Sequence, residues 1–164
     1  MIRIRPAVPA DAVFIISANR RMALETEGLE LDPGLLEPGV RTALADPSRA
    51  RYFIAESGGR AVGQLMLTYE WSDWRNGHFW WIQSVFVEPE HRQQGVFGAL
   101  YRHVEDAARA AGTVCGLRLY VEKDNHRARQ IYQRLGMHMT AYDMLETTFR
   151  GPASHRDKPE SERN

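Results

Sequence analysis

The sequence predicts an α/β (α+β) fold carried by one mixed sheet, and three observations predict it. Its 164 residues, 43% hydrophobic and 26% charged, suit a single soluble core, and no linker or internal repeat divides them. In the first half, strand-like segments are joined by hairpin signals. In the second half, strand and helix patterns alternate, the arrangement that lays helices against a sheet.

Residues 2–5 alternate apolar and charged, a short first strand. Asp11 opens a helical stretch with Val13 and Ile16 on one stripe and Ile15, Asn19, Met22 and Ala23 on a second; Gly28 ends it. A weaker helix is expected over 33–45. Residues 52–56 read as a strand, Ser57-Gly58-Gly59 as a hairpin turn and 62–69 as the partner strand. A polar, aromatic turn over 71–77 ends in Asn76-Gly77. Residues 79–87 are apolar and aromatic except for Gln83 and Ser84, as suits a central strand buried on both faces.

Helix is expected over 96–111, with Leu100, Val104, Ala107, Ala108 and Ala111 on one face and Gly112 as its stop. A strand over 114–121 follows. Residues 125–135 form the clearest helix: Asn125 can N-cap it, Ala128, Ile131, Tyr132 and Leu135 share a stripe, and Gly136 stands at C′. Residues 137–149 are expected to supply the last strand. The single domain is thus expected over 1–149. Residues 150–164 lack a large apolar side chain and are expected to be a disordered tail.

Composition excludes several classes. Twenty-one Lys and Arg balance 21 Asp and Glu, and this zero net charge argues against nonspecific binding to nucleic acid or anionic membrane without excluding a local basic site. One cysteine, Cys115, cannot form an internal disulfide; in a strand it is expected to be a buried, inert thiol. No apolar leader and no 18-residue apolar run is present, so a soluble cytoplasmic protein is expected. The six histidines form no H-x-x-x-H pair, so no metal site is expected.

The most informative segment is SVFVEPEHRQQGVFGAL, residues 84–100. It is a strand, a proline stop at Pro89, a short polar loop and a helix opening near Gly95. A helix N-terminus offers unsatisfied N–H groups and a positive dipole end, glycine admits close backbone approach, and Arg92 adds charge. A plain strand-to-helix loop with a surface Arg explains the same residues. The pattern is neither G-x-G-x-x-G nor a P-loop.

Arg92-Gln93-Gln94-Gly95-Val96-Phe97 resembles motif A of the GCN5-related N-acetyltransferases (GNAT), R/Q-x-x-G-x-G/A. Phe97 holds the second small position, with Gly98 one step later. Asn125 to Met137, NHRARQIYQRLGM, looks like that family's motif B, N-x-x-A-x-x-x-Y-x-x-x-G-F, with Asn125, Ala128, Tyr132 and Gly136 in place and Met137 for the usual Phe. The resemblance runs over residues 1 to about 149. It implies a sheet of about six to seven strands with about four helices, and acetyl-CoA as co-substrate. It further implies that backbone amides from Gln93 to Gly98, including Gly95, Val96 and Phe97, hold the pyrophosphate with Arg92. Val85, Phe86 and Val87 would lie along the pantetheine arm, Asn125 and Ala128 beside it, and Tyr132 at the sulfur.

Acetyl transfer to an amine needs a held thioester, a donor to its carbonyl oxygen, a route for the amine proton and an acid for the thiolate. Tyr132 is the natural acid, since a phenol is protonated at pH 7; by position alone a core aromatic is the commoner reading, and the resemblance reverses that order. The carbonyl donor would be a backbone N–H near Val85. Diamine acetyltransferases of the family carry a Glu where Gln83 stands, and Gln83 cannot be a base. Glu70, Glu27 and Glu25 are the carboxylates that could replace it, and a water relay is another route. With Asp73, Trp71 and Trp74 they would favour a small cationic amine, the loose likeness being to the diamine branch. A protein or peptide N-acetyltransferase and a non-catalytic CoA-binding module are the alternatives. Relatives of this kind often form homodimers.

Overall fold

Arg5 alternates with apolar neighbours and carries the ion pairs that start the fold. It lies in β1 (Ile2–Pro6) and meets Asp11 through two hydrogen bonds, at 2.7 and 2.8 Å, and Glu56 at 2.7 Å. Asp11 also accepts from the Val8 backbone N–H at 2.7 Å, which closes the turn into α1 (Ala12–Glu27). In this computed structural model, which describes residues 1–149, two compact units are found, Met1–Tyr120 and Val121 onward. The tail expected over 150–164 lies outside the described residues.

The first unit holds β1, α1, α2 (Pro33–Ala45), β2 (Arg51–Ser57), β3 (Arg60–Ser72), β4 (Gly77–Val87), α3 (Val96–Ala110) and β5 (Val114–Leu119). Its sheet runs β1-β2-β3-β4-β5, antiparallel through β4 and parallel between β4 and β5. Strand alternation divides the core. Tyr52 and Ile54 face α1 and α2 with Ala12, Ile15 and Val40; Phe53 instead packs edge-on to His103 of α3. Gly63 of β3 lets α3 sit close: a Cβ there would come within 3.0 Å of both Phe86 O and Val96 Cγ1. The start of α3 is thereby seated on the end of β4. The second unit holds α4 (His126–Arg134), whose N-cap Asn125 accepts from the Ala128 N–H at 3.0 Å.

Four expectations are corrected. The sheet has five strands among the described residues, not six or seven, and 137–149 forms no strand. A strand exists only through a ladder of bonds to a neighbour, and β-favourable residues cannot supply that ladder themselves. Met139, Tyr142, Met144, Leu145 and Phe149 are all exposed there. Cys115 is exposed, because β5 is an edge strand and its alternate side chains turn outward. Val13 is 75% exposed, since α1 buries the stripe of Ile15, Ala18, Asn19 and Ala23 instead. Finally β3 continues through Trp71 to Ser72, so the turn is shorter than 71–77.

Candidate active site

The parallel pairing of β4 with β5 runs from His78↔Val114 to Ile82↔Leu119 and ends there, while β4 continues to Val87. The strands part at a bulge. Gln64 pairs with Phe86 and Met66 with Gln83, so Ser84 and Val85 together oppose Leu65. Ser84 takes φ 48°, a left-handed conformation unusual for a residue with a side chain. The polar break at Gln83-Ser84, visible in the sequence, is this bulge. Val85, Phe86 and Val87 follow it along the stretch that β5 does not pair.

Beyond β4 the chain turns through Pro89–His91 and enters α3 at Gly95, whose φ of 80° only glycine adopts without strain. Gln93 is also left-handed, at φ 65°. The space where a Gly95 side chain would stand is open to 4 Å. Arg92 and Gln94 spend their side chains on the loop. Arg92 donates to Val87 O at 2.9 Å and pairs with Glu25 at 2.6 Å; Gln94 donates to Glu90 O at 2.6 Å. What the turn offers a ligand is therefore backbone: the first N–H groups of α3, which have no carbonyl partner within the helix. The sequence reading missed one cation there. Arg102 folds back one turn, so that a Cβ on Gly98 would lie 3.4 Å from its Nη1. Its guanidinium thus lies over Gly98, beside the first turn. These features fit a pyrophosphate-bearing arm.

Glu70 lies on the sheet face of Thr68, Phe79, Trp81, Gln83 and Arg118, as pairing and alternation require. Both its oxygens are engaged: Trp81 Nε1 donates at 2.6 Å and Arg118 Nη1 at 2.7 Å. Arg118 lies 3.7 Å over the Phe79 ring, and Tyr120 stacks on Trp81 at 4.4 Å. Gln83 donates to Thr68 Oγ1 at 2.6 Å. Trp71 is on the opposite face, edge-on to His78 at 4.9 Å, so it is not brought together with Glu70. Glu25 is held by Arg92, and Glu27 stands exposed at the end of α1. Trp74 is 84% exposed in the β3–β4 turn.

In the second unit, Tyr132 is partly buried within α4, and burial raises its phenol above the usual value of 10. Ala128 and Asn125 form the first turn of the same helix. The helix ends as its sequence predicts, with Met137 N–H reaching Tyr132 O and Gly136 left-handed at φ 87°.

The sequence pattern described as the acetyltransferase (GNAT) family matches residues 20–137. Among solved structures, a possible acetyltransferase from Clostridium difficile 630 is 41% identical, covers 92% of this chain and 99% of its own, and superposes with a TM-score of 0.86. A predicted acetyltransferase with acetyl-CoA from Clostridium acetobutylicum shares the fold at 20% identity, over 90% of this chain and 96% of its own, TM-score 0.73. AAC(6')-Iy in complex with the bisubstrate analogue CoA-S-monomethyl-acetylneamine does so at 17% identity, over 92% and 99%, TM-score 0.71.

Proposed function

The chain belongs to the acetyltransferase (GNAT) family, an acetyl-CoA-dependent N-acetyltransferase, and on that premise we propose that it acetylates the primary amine of a small molecule by direct attack. The observation that carries the reading is the bulged, unpaired end of β4 leading into the open N-terminus of α3. The α3 N–H groups, with Arg102, hold the pyrophosphate. Backbone of Val85 and Val87 pairs with the pantetheine arm, and the Val85 N–H donates to the thioester oxygen as charge grows on it. Tyr132 gives its proton to the departing sulfur, and Asn125 lies along the arm.

On the acceptor side, Glu70 acts by charge and position, since both its oxygens already hold donors. It orients the amine on the face shared with Gln83, and its Arg118 partner would meet an oxygen of the acceptor. Glu27 is the exposed carboxylate left to take the amine proton, directly or through water. This pairing shifts the acceptor away from a polyamine with positive charge alone, toward an amine that also carries a hydroxyl or carboxylate. AAC(6')-Iy, which shares the fold, is in complex with a bisubstrate analogue that joins CoA to acetylneamine. In the same reading the chain works in the cytoplasm as a homodimer.

The test is release of the CoA thiol from acetyl-CoA with a panel of diamines, amino sugars, amino acids and short peptides. Turnover of amino sugars or amino acids above diamines supports the reading. Turnover only of peptides would replace it with protein N-acetylation, and none at all with a non-catalytic CoA-binding module.

A further inference from the structure

Beneath the bulge lies a chain of buried polar groups that neither motif contains. Gln64 of β3 is 0% exposed and Asn19 of α1 is 5% exposed. Gln64 Nε2 donates to Asn19 Oδ1 at 2.6 Å and to the Ser84 carbonyl at 3.2 Å. Asn19 Nδ2 in turn donates to Tyr52 Oη at 3.4 Å. The chain Tyr52–Asn19–Gln64 ends on the carbonyl of Ser84, the one left-handed residue of β4.

Buried amides in a sheet core need a reason, because apolar residues would pack there without unmet hydrogen bonds. Gln64 even leaves its own Oε1 buried without a partner. Both its N–H groups are turned to Asn19 and Ser84. Turning the amide over would set its oxygen against two other oxygens, so the observed orientation is fixed by its neighbours.

The carbonyl that Gln64 holds belongs to the peptide that joins Ser84 to Val85. A trans peptide is planar, with C=O and N–H pointing opposite ways. Drawing Ser84 O toward the core therefore turns the Val85 N–H away from Gln64. A donor on that carbonyl also polarises the peptide and strengthens its N–H as a donor.

We propose that Gln64, held by Asn19 and Tyr52, is a positioning residue that aims and strengthens the Val85 N–H for the thioester oxygen. This rests on the proposed role of the Val85 N–H as donor to that oxygen. Gln64 touches no reacting atom; it acts through one peptide plane. Rate, and not affinity for the CoA arm, is what it governs.

The test uses Gln64→Met, which keeps length and packing while removing the donors, with Asn19→Ser as a milder second variant should the first fail to fold. Three quantities are read: calorimetric affinity for acetyl-CoA, kcat, and the 13C resonance of bound acetyl-CoA labelled at the carbonyl. The expected result is affinity within about twofold of wild type, kcat lower by about tenfold, and a bound carbonyl resonance moved back toward its free position. Asn19→Ser should show the same pattern at smaller size. An unchanged kcat, or a variant carbonyl displaced as far as in wild type, overturns the proposal alone. So does a kcat that falls only in step with affinity and melting temperature, the mark of a general packing role. A wild-type carbonyl that does not move on binding overturns the Val85 assignment, and the proposal with it; that readout needs no acceptor.

Discussion

At the scale of single residues, the acid and the cradle make separate predictions. Tyr132→Phe removes the proton proposed for the thiolate and leaves the aromatic body in place. We expect kcat to fall by about a hundredfold with acetyl-CoA affinity kept; unchanged turnover would remove Tyr132 from the mechanism. Burial raises the Tyr132 pKa, so the hydroxyl keeps its proton past pH 10. Its contribution is present below that folded value and lost as pH rises through it. Wild-type kcat should therefore show no loss from this group between pH 7 and pH 9, and a limb below 10 that disappears in Tyr132→Phe would reverse the direction. Arg102→Ala should weaken acetyl-CoA binding by roughly tenfold, about one charge-assisted hydrogen bond, with kcat nearly unchanged. Equal weakening of dephospho-CoA confirms that the pyrophosphate is the group held; no change with either ligand would show that Arg102 only covers Gly98. The place of Tyr132 in α4 was legible because its spacing from Asn125 and Gly136 lies within one helix. Arg102 and Gln64 were not, since their partners are set by how a side chain lies back and by which strands meet.

At the scale of elements, β1 and the start of α1 are tied by Arg5, which faces Asp11 and Glu56. The Arg5 hydrogen bond, above all, holds the Asp11 carboxyl below its ordinary value of 3.8, against the opposing effect of burial. A depressed carboxyl contributes stability that is present above its unfolded pKa and lost as pH falls through its folded one. Asp11→Asn should lower stability by about 1–3 kcal/mol at pH 7. The gap between variant and wild type should close below pH 3.8 as the wild-type carboxyl protonates. Urea midpoints at pH 7 and pH 3 decide it, and a constant gap would assign the loss to packing instead. The four α-helices and the five strands that pair stand where periodicity, caps and turn residues put them, except that β3 runs on to Ser72 and β4 starts at Gly77. The bulge was legible only as the polar break at Gln83-Ser84; its left-handed backbone follows from the pairing of β3 with β4. The missing last strand shows the same limit from the other side. Residues 137–149 carry the right side chains for a strand, but pairing is a property of two segments, and one sequence window holds only one of them.

At the scale of the whole molecule, 21 basic and 21 acidic residues leave no net field to draw in either a polyanionic cofactor or a cationic amine. In the proposed reading, recognition is then local: backbone N–H groups and one guanidinium at the α3 N-terminus for the cofactor, and one shared ion pair, Glu70–Arg118, on the sheet face for the acceptor. Local contacts to a flexible arm stabilise the folded chain by mass action. Acetyl-CoA at a hundred times its dissociation constant should add about 2.7 kcal/mol, a rise in melting temperature of roughly 5–11 °C for a chain of this size. Free CoA should give nearly the same rise, because the acetyl group adds little to the contacts that hold the arm. The residues assigned to that arm all lie between Val85 and Tyr132, so a chain ending at Phe149 should shift as far as the full one. Loss of the shift on removing 150–164 would place a ligand contact in the last fifteen residues. A shift with acetyl-CoA but not with CoA would move the binding energy from the pyrophosphate cradle to the thioester, and would take from Gly95 and Arg102 their part in holding the arm.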